Sequence, residues 1–394
     1  MFAYQKNQRF FAQIAHGLEQ LGLEELHSLG AQDAKAAYRG VYFTADRAAL
    51  YRINYCSRLS THILAPLLTF DCHSDRYLYK TALKLAWPEI LSVSTTFAIT
   101  ANVSNSRIRH SQYAARKLKD AIVDQFREIC GERPNVAPRH PDVWLNLYIH
   151  NNKATISLDT SGGSLHRRGY RRESVSAPMQ ETLAAAIIRL SGWQGEQPLY
   201  DPMCGSGSLL AEACMAYCRV PAGYLRQQFG FEHMPDFDHT IWKSVRQESN
   251  RHIRPLPPGL IGGSDLDHSA IEAAQKNCRQ IPGGTHIALR TQRFHDLQAL
   301  KERTIVCNPP YGLRLQQRSV TRLLQEFGDF LTLRCQGSNA YIYLGNASLF
   351  TQIPLRPSWK KALHNGGLEG FLAKYSIRQK GRRRVKTFSA LDVL

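Results

Sequence analysis

Apolar and polar positions along the chain fall into three blocks of different rhythm. In the first, Ile14, Leu18, Leu21 and Leu26 recur at helical spacing and predict a helix over residues 10–29. Val41-Tyr42-Phe43 predicts a strand, and residues 45–57 a second helix. The second block predicts a helix over residues 76–86, β structure over 95–103 and a helix over 111–130. Alternating runs at 143–149 and 153–158 then flank Asn151-Asn152, which predicts a hairpin. Such a mixture suits small α+β domains.

The third block begins after Ser161-Gly162-Gly163 and alternates short apolar runs with helical patterns. Helices are expected at 180–191, 208–218 and 268–279. Strands are expected ending at Tyr200, Gly263 and Cys307, with a last one over 340–344. This βα alternation predicts a mostly parallel, doubly wound sheet. Neither an internal repeat nor a long low-complexity linker is evident.

The 394 residues are enough for two or three domains. Lys and Arg number 50 against 32 Asp and Glu, a formal net charge of +18. Such an excess favours a polyanionic partner, because neutralised phosphates release counterions. No run of 18 apolar residues is present, so no membrane span is expected. The polar Gln and Asn among the first eleven residues leave no signal-peptide core. Nine scattered cysteines without a CxxC pair argue against both a disulfide scaffold and a metal site, and fit reduced thiols in the cytoplasm.

Asp201-Pro202-Met203-Cys204-Gly205-Ser206-Gly207 follows a predicted strand and opens a helix. Glycines there would let a cofactor approach the backbone, at the strand ends where open α/β sheets bind ligands. The turn lacks both the G-x-G-x-x-G spacing and a P-loop G-K-[ST]. Asp265, in Asp265-Leu266-Asp267, is placed to accept hydrogen bonds from ribose hydroxyls, with Asp267 available to cap the next helix. Asp296, one βα unit later, is placed to accept from an adenine amino group.

Asn308-Pro309-Pro310-Tyr311 directly follows the strand ending at Cys307. The exocyclic amine of a purine is a weak nucleophile, since its lone pair is delocalised into the ring. The Asn308 side-chain oxygen and the Pro309 carbonyl are suitable acceptors for its N–H groups. Pro309 and Pro310 stiffen the loop, and Tyr311 offers a face to an unstacked base. Asn308 would also border the cofactor. Cys307, a conceivable nucleophile, reads as a packed core thiol, and Cys204 as part of the cofactor turn. The motif pair points to methylation of a base amine from S-adenosylmethionine.

With these motifs, the chain resembles bacterial THUMP-domain class I methyltransferases that form N2-methylguanine in RNA. Within them it is most similar to the amino-terminal half of the 23S rRNA enzymes. The likeness spans nearly the whole chain. It is most specific at Leu165-His166-Arg167-Arg168-Gly169-Tyr170-Arg171, Ala177-Pro178-Met179-Gln180-Glu181-Thr182-Leu183-Ala184-Ala185, the 201–207 loop and 308–311. Ser111-Gln112-Tyr113 and Lys119-Asp120-Ala121-Ile122 look like the THUMP signature.

The resemblance implies an α/β chain: a ferredoxin-like domain at 1–60, an RNA-binding THUMP domain at 61–160, and a Rossmann-like S-adenosylmethionine-dependent methyltransferase domain at 161–394. It implies cofactor contacts at Asp201, Gly205, Gly207, Asp265 and Asp296, with Pro202, Cys204, Ser206 and Leu266 in the same turns. Ala177 and Pro178 would lie beside the cofactor. In longer relatives a second methyltransferase domain makes 7-methylguanine. This chain has one cofactor loop and stops at Leu394, so that second activity is expected to be absent.

Three basic groups are candidate RNA contacts: Arg167, Arg168, Arg171 and Arg172; Arg107, Arg109, Arg116, Lys117 and Lys119; and the run Arg378, Lys380, Arg382, Arg383, Arg384 and Lys386. The leading expectation is N2-methylguanosine formation in 23S rRNA or a large-subunit precursor. The alternatives are a tRNA target, adenine-N6 methylation of DNA, and a non-catalytic RNA-binding assembly factor.

Overall fold

The computed structural model describes residues 1–173, 179–310, 317–365 and 368–378. Two seven-stranded sheets organise them. The first has the order β2-β3-β1-β4-β7-β6-β5. Its strands are β1 (Arg9–Ile14), β2 (Gln32–Ala37), β3 (Gly40–Thr44), β4 (Ser60–Asp71), β5 (Phe97–Ser104), β6 (Val143–His150) and β7 (Lys153–Asp159). Helices α1 (Ala3–Asn7), α2 (Glu19–Ser28), α3 (Arg47–Cys56), α4 (Asp75–Ala82) and α5 (Ser111–Cys130) connect them. All pairs are antiparallel except β5 with β6.

The helix expected over 10–29 is instead a strand, a turn and a helix. Phe10, Ala12 and Ile14 alternate with Phe11 and Gln13 along β1. Gly17, at φ +84°, turns the chain before α2. Ile14 and Leu18 matched a helical period only because strand end and helix start happen to lie that far apart. The helix expected over 76–86 ends at Ala82. By contrast α5 spans the expected residues, with Leu118, Ala121, Ile122 and Phe126 on its buried stripe and Gly131 closing it at φ +72°. Asn151 and Asn152 adopt φ of 50° and 57°, the left-handed pair that a two-residue hairpin requires.

β4 joins the two amino-terminal halves, because its first part pairs with β1 (Phe11 opposite Leu64) and its length with β7 (Leu64 opposite Asp159). One face of this continuous sheet, carrying Phe43, Phe10, Ile63, Leu158, Leu147 and Phe97, is buried under the helices.

The second sheet has the order β10-β9-β8-β11-β12-β14-β13. Its strands are β8 (Leu199–Asp201), β9 (Ile261–Asp265), β10 (Ala288–Thr291), β11 (Thr304–Cys307), β12 (Asn339–Leu344), β13 (Trp359–Asn365) and β14 (Leu368–Ser376). The first five in that order are parallel, and β14 runs antiparallel to both its neighbours. Helices α6 (Glu181–Ser191), α7 (Ser208–Tyr217), α8 (His239–Arg251), α9 (His268–Cys278) and α10 (Gln317–Arg334) complete this unit. The chain steps outward from β8 to β9 and β10, then returns to the other side of β8 at β11. This reversal leaves a crevice at the carboxyl ends of β8 and β11. The pattern of apolar positions had not exposed the β13–β14 hairpin, α8 or α10. Their apolar faces are interleaved with charged residues such as Lys360, Lys374 and Arg246.

The two units are tightly docked. Tyr51 of α3 stacks on Phe231 at 4.4 Å between centroids, and Tyr55 meets Trp242 of α8 edge-on at 5.3 Å. Glu212 on α7 is fully buried; it accepts from Arg168 Nε at 3.3 Å and Tyr170 Oη at 3.2 Å, with Arg58 Nη1 4.0 Å away. Arg226 donates to the carbonyls of Ser161, Gly162, Gly163, Ser164 and Arg167, so the linker is wrapped around one guanidinium.

Candidate active site

Residues 202–207 leave the end of β8 and turn sharply into α7. Gly205 and Gly207 have φ of 51° and 83°, and a Cβ at Gly207 would lie 3.1 Å from the Ala274 Cβ. Both the conformation and the closeness of α9 therefore require glycine there. Asp265, at the end of β9, accepts from Gly205 N at 2.8 Å and Asp267 N at 3.0 Å, one bond to each oxygen. Each oxygen keeps a further lone pair. Asp267 caps α9 through Ser269 N at 2.8 Å, as expected of it.

Leu266 is exposed beside Asp265, and Asp296 is exposed on the turn after β10. Asp201 is buried and accepts from Met203 N at 3.1 Å. Burial first, and the neighbouring Asp265 carboxylate after it, push its carboxyl up to about 8. Pro202, Cys204 and Ser206 are buried within the turn, with Cys204 N donating to Ser264 O at 3.0 Å.

β11 pairs directly with β8, so Asn308 emerges next to this loop. The Cys307 thiol lies against Asp201, and burial pushes it well above the usual thiol range. Burial does the same to Cys204, which is only 7% exposed. Both are packed thiols rather than nucleophiles. Asn308 Oδ1 is buried and has no hydrogen-bond partner among the described residues. An unpaired buried acceptor costs about 1–3 kcal/mol and is rare in a folded protein. Pro309 is buried and Pro310 partly so; Tyr311 lies outside the described residues, as do Ala177 and Pro178.

The linker arginines are not one surface. Arg167 is exposed. Arg168 is only 1% exposed and is fully engaged: besides Glu212 it donates to Leu165 O and to Arg58 O. It therefore holds domains together and does not face RNA. Arg171 likewise turns inward, donating to Glu181 Oε1 at 2.9 Å, Met179 O at 2.8 Å and Ser208 Oγ at 3.1 Å. Arg107 and Arg109 are exposed after β5, and Lys117 sits 5.5 Å from the Tyr113 ring centroid. Of the carboxyl-terminal basic run, all but Arg378 lies outside the described residues.

Sequence reasoning missed Asn277. Its side chain accepts from Arg172 N and Glu173 N and donates to Glu173 O and Ser206 O, stapling the linker to the glycine turn. The one available signal was an amide on the apolar stripe of α9, beside Ala273, Ala274 and Cys278.

The cradle suits an S-adenosyl group: glycines at the strand–helix turn, an acid at the second strand end, and an orphaned acceptor at the end of the neighbouring strand. Comparison with known proteins agrees. Residues 168–374 match the RMKL-like methyltransferase domain, 73–159 the THUMP domain and 9–64 the RlmL ferredoxin-like domain. A putative RNA methyltransferase of Synechocystis sp. is 39% identical, covering 93% of this chain and 96% of that protein. A protein named ribosomal RNA large subunit methyltransferase K/L, from Aliivibrio salmonicida, is 35% identical over 95% of this chain. The chain spans only 54% of that relative's length. A solved putative methyltransferase complexed with SAH superposes with a TM-score of 0.83 at 26% identity, covering 95% of this chain and 99% of that one. The chain belongs to the RMKL-like methyltransferase family, S-adenosylmethionine-dependent enzymes in which the catalytic domain is here preceded by a ferredoxin-like and a THUMP domain.

Proposed function

We propose that this protein methylates the N2 amine of a guanine in RNA, with 23S rRNA or its precursor as substrate. The observation that carries the chemistry is the buried, unpartnered Asn308 Oδ1 at the end of β11. An acceptor held there takes one N–H of the target amine, and the Pro309 carbonyl takes the other. These two bonds draw electron density onto the nitrogen and aim its lone pair. S-adenosylmethionine supplies an electrophilic methyl group when bound. Transfer of that methyl would form the N–C bond as the S–C bond breaks, and the amine would then lose a proton to water. Asp265 would hold the ribose hydroxyls, while the Gly205–Gly207 turn would lie against the cofactor backbone.

The RNA assignment draws support from the THUMP match, the net charge of +18, and relatives named for RNA and ribosomal RNA methylation. Another solved relative is named a predicted N6-adenine-specific DNA methylase, from Listeria monocytogenes, so DNA is the control substrate.

The test is to incubate the protein with labelled S-adenosylmethionine and, separately, unmodified 23S rRNA, tRNA and DNA, then identify the methylated nucleosides by mass spectrometry. N2-methylguanosine in 23S rRNA alone is expected. The same nucleoside in tRNA alone keeps the chemistry and refutes the substrate. N6-methyladenine in DNA, or no transfer at all, overturns the proposal.

A further inference from the structure

The amino-terminal sheet buries one face under its helices and leaves much of the other open. Register fixes what that open face carries. Across the first half, Lys35, Tyr42, Phe11 and Leu64 lie side by side on four adjacent strands. Across the second, Thr69, Thr155, Tyr148 and Asn102 do the same. Tyr42 is 55% exposed and Tyr148 44%, although each sits in the interior of a paired strand.

These rings form two clusters. Phe11 and Tyr42 have centroids 4.7 Å apart, and Tyr148 and His150 are stacked at 6.1 Å with planes 17° apart. Burial first, and Tyr148 next, push the Tyr42 phenol up, with β1, β4 and β7 lying between the strands of the two tyrosines. Gly40 lies beneath the Phe11 ring, and any Cβ there would collide with it. The ring is thus laid flat against the sheet by a glycine that pairs beside it.

Neither the Tyr42 nor the Tyr148 hydroxyl has a hydrogen bond among the described residues, whereas Tyr79 and Tyr113, on the helical side, are tied to Asp124 and Asp75. Between the rings, on β4 and β7, the same face carries the hydroxyls of Thr69 and Thr155 and, beside the buried Leu64 and Ser157, the His62–Asp159 pair; Asn102 lies beyond Tyr148 on β5. The exposed charges at the edges are Lys35 and Lys153, with Asp71 directly opposite Lys153.

We propose that this open face, from Tyr42 and Phe11 to Tyr148 and His150, is a stacking platform for unpaired bases of the RNA strand. It rests on the reading that the substrate is RNA and names the form of RNA held outside the catalytic cleft. Rings exposed on a sheet, flanked by threonine hydroxyls and with lysine at the edges, match the chemistry of splayed single-stranded bases. A duplex keeps its base faces internally stacked and has nothing to offer such rings.

The experiment uses the full chain and a single-stranded RNA of about 12 nucleotides containing 2-aminopurine, with its blunt duplex as comparison. Wild type is expected to bind the single strand more tightly than the duplex and to quench the probe. Tyr42→Ala with Tyr148→Ala should weaken single-strand binding roughly tenfold per ring lost. Tyr42→Phe with Tyr148→Phe should retain it, because stacking uses the ring and not the hydroxyl. Melting temperature and S-adenosylmethionine affinity should be unchanged in both variants, which separates loss of the platform from loss of the fold. Equal single-strand affinity in the alanine variant, or equal affinity of wild type for strand and duplex, overturns the platform. Methyl transfer by wild type to RNA is read in the same preparations. Its absence would refute the functional reading, while the affinities decide the platform on their own.

Discussion

The two sheets of this protein place their exposed chemistry in opposite ways. The carboxyl-terminal sheet has five short parallel strands, such as the four buried residues of β11, beside the antiparallel β13–β14 hairpin, and its parallel part is apolar on both sides. Its chemistry is confined to strand ends: Asp201, Asp265 and Asn308 all occur where a strand stops. The amino-terminal sheet is largely antiparallel, with strands as long as the twelve residues of β4, and has only one face fully buried. Its exposed side chains are spread across a surface. A parallel sheet covered by helices on both faces can present reactive groups only at its edge, whereas a half-covered sheet can present a plane. One arrangement concentrates groups on a single atom of a substrate, and the other suits an extended polymer.

Substitutions can break this division at either end. The largest effect is expected for Asn308→Ala, which should lower kcat for methyl transfer roughly 100- to 1000-fold, by analogy with removal of one preorganised hydrogen-bonding group. S-adenosylmethionine affinity, measured by calorimetry, should change little. A variant within about threefold of wild-type kcat would remove the side chain from the chemistry.

Glu212→Ala strips the shared partner from the buried Arg168 and the largely buried Arg58 at the junction of the units. It should destabilise the fold by about 3–5 kcal/mol in urea titration. A small loss would mean that the linker and Arg226 alone hold the two sheets in place.

Asp201 gives a pH signature confined to the catalytic sheet. Its folded carboxyl is raised to about 8, above the usual carboxylate range, so between those values the folded state holds a proton that the unfolded state has released. Stability from this group is complete at acid pH and is lost as pH rises towards about 8. The stability difference between wild type and Asp201→Asn should therefore drift against wild type from pH 5 to pH 8 and level off above. A flat difference across that range would show that Asp201 is ionised throughout.

Asp265→Asn retains the fold but offers the ribose a weaker acceptor, and should raise the S-adenosylmethionine Kd about tenfold. The smallest effect is expected at Arg167, the exposed member of its group. Arg167→Ala should weaken RNA binding only a few-fold and flatten its salt dependence by about one counterion. An unchanged salt slope would place the RNA elsewhere.

The cofactor edge of the catalytic sheet was legible because its turns carry local signals, whereas β13, β14, α8 and α10 were not. Gly205 and Gly207 mark a turn that only glycine can make, and the apolar run before Asn308 marks a buried strand. The amino-terminal sheet was less so. β4 and β2 were not foreseen, and β1 was taken into a helix, because what selects those strands is pairing with residues far along the chain. Leu64 lies opposite both Phe11 and Asp159, and no local window contains all three. Charge misled in a similar way: Arg167, Arg168 and Arg171 read as one basic surface.

By itself, then, the sequence named the groups on which the proposed chemistry rests. The spacing of 201–207, Asp265 and Asn308 relative to their strands suffices, since local backbone rules place each at a strand end. Only the tertiary structure decided which charges are surfaces and which are struts. Glu212, over forty residues from Arg168 and over a hundred and fifty from Arg58, turns the first into an internal brace and holds the second beside it. It also decided that two amino-terminal halves share one sheet and that their rings gather on its open side. Burial and strand pairing belong to the whole folded chain, and no stretch of sequence contains them.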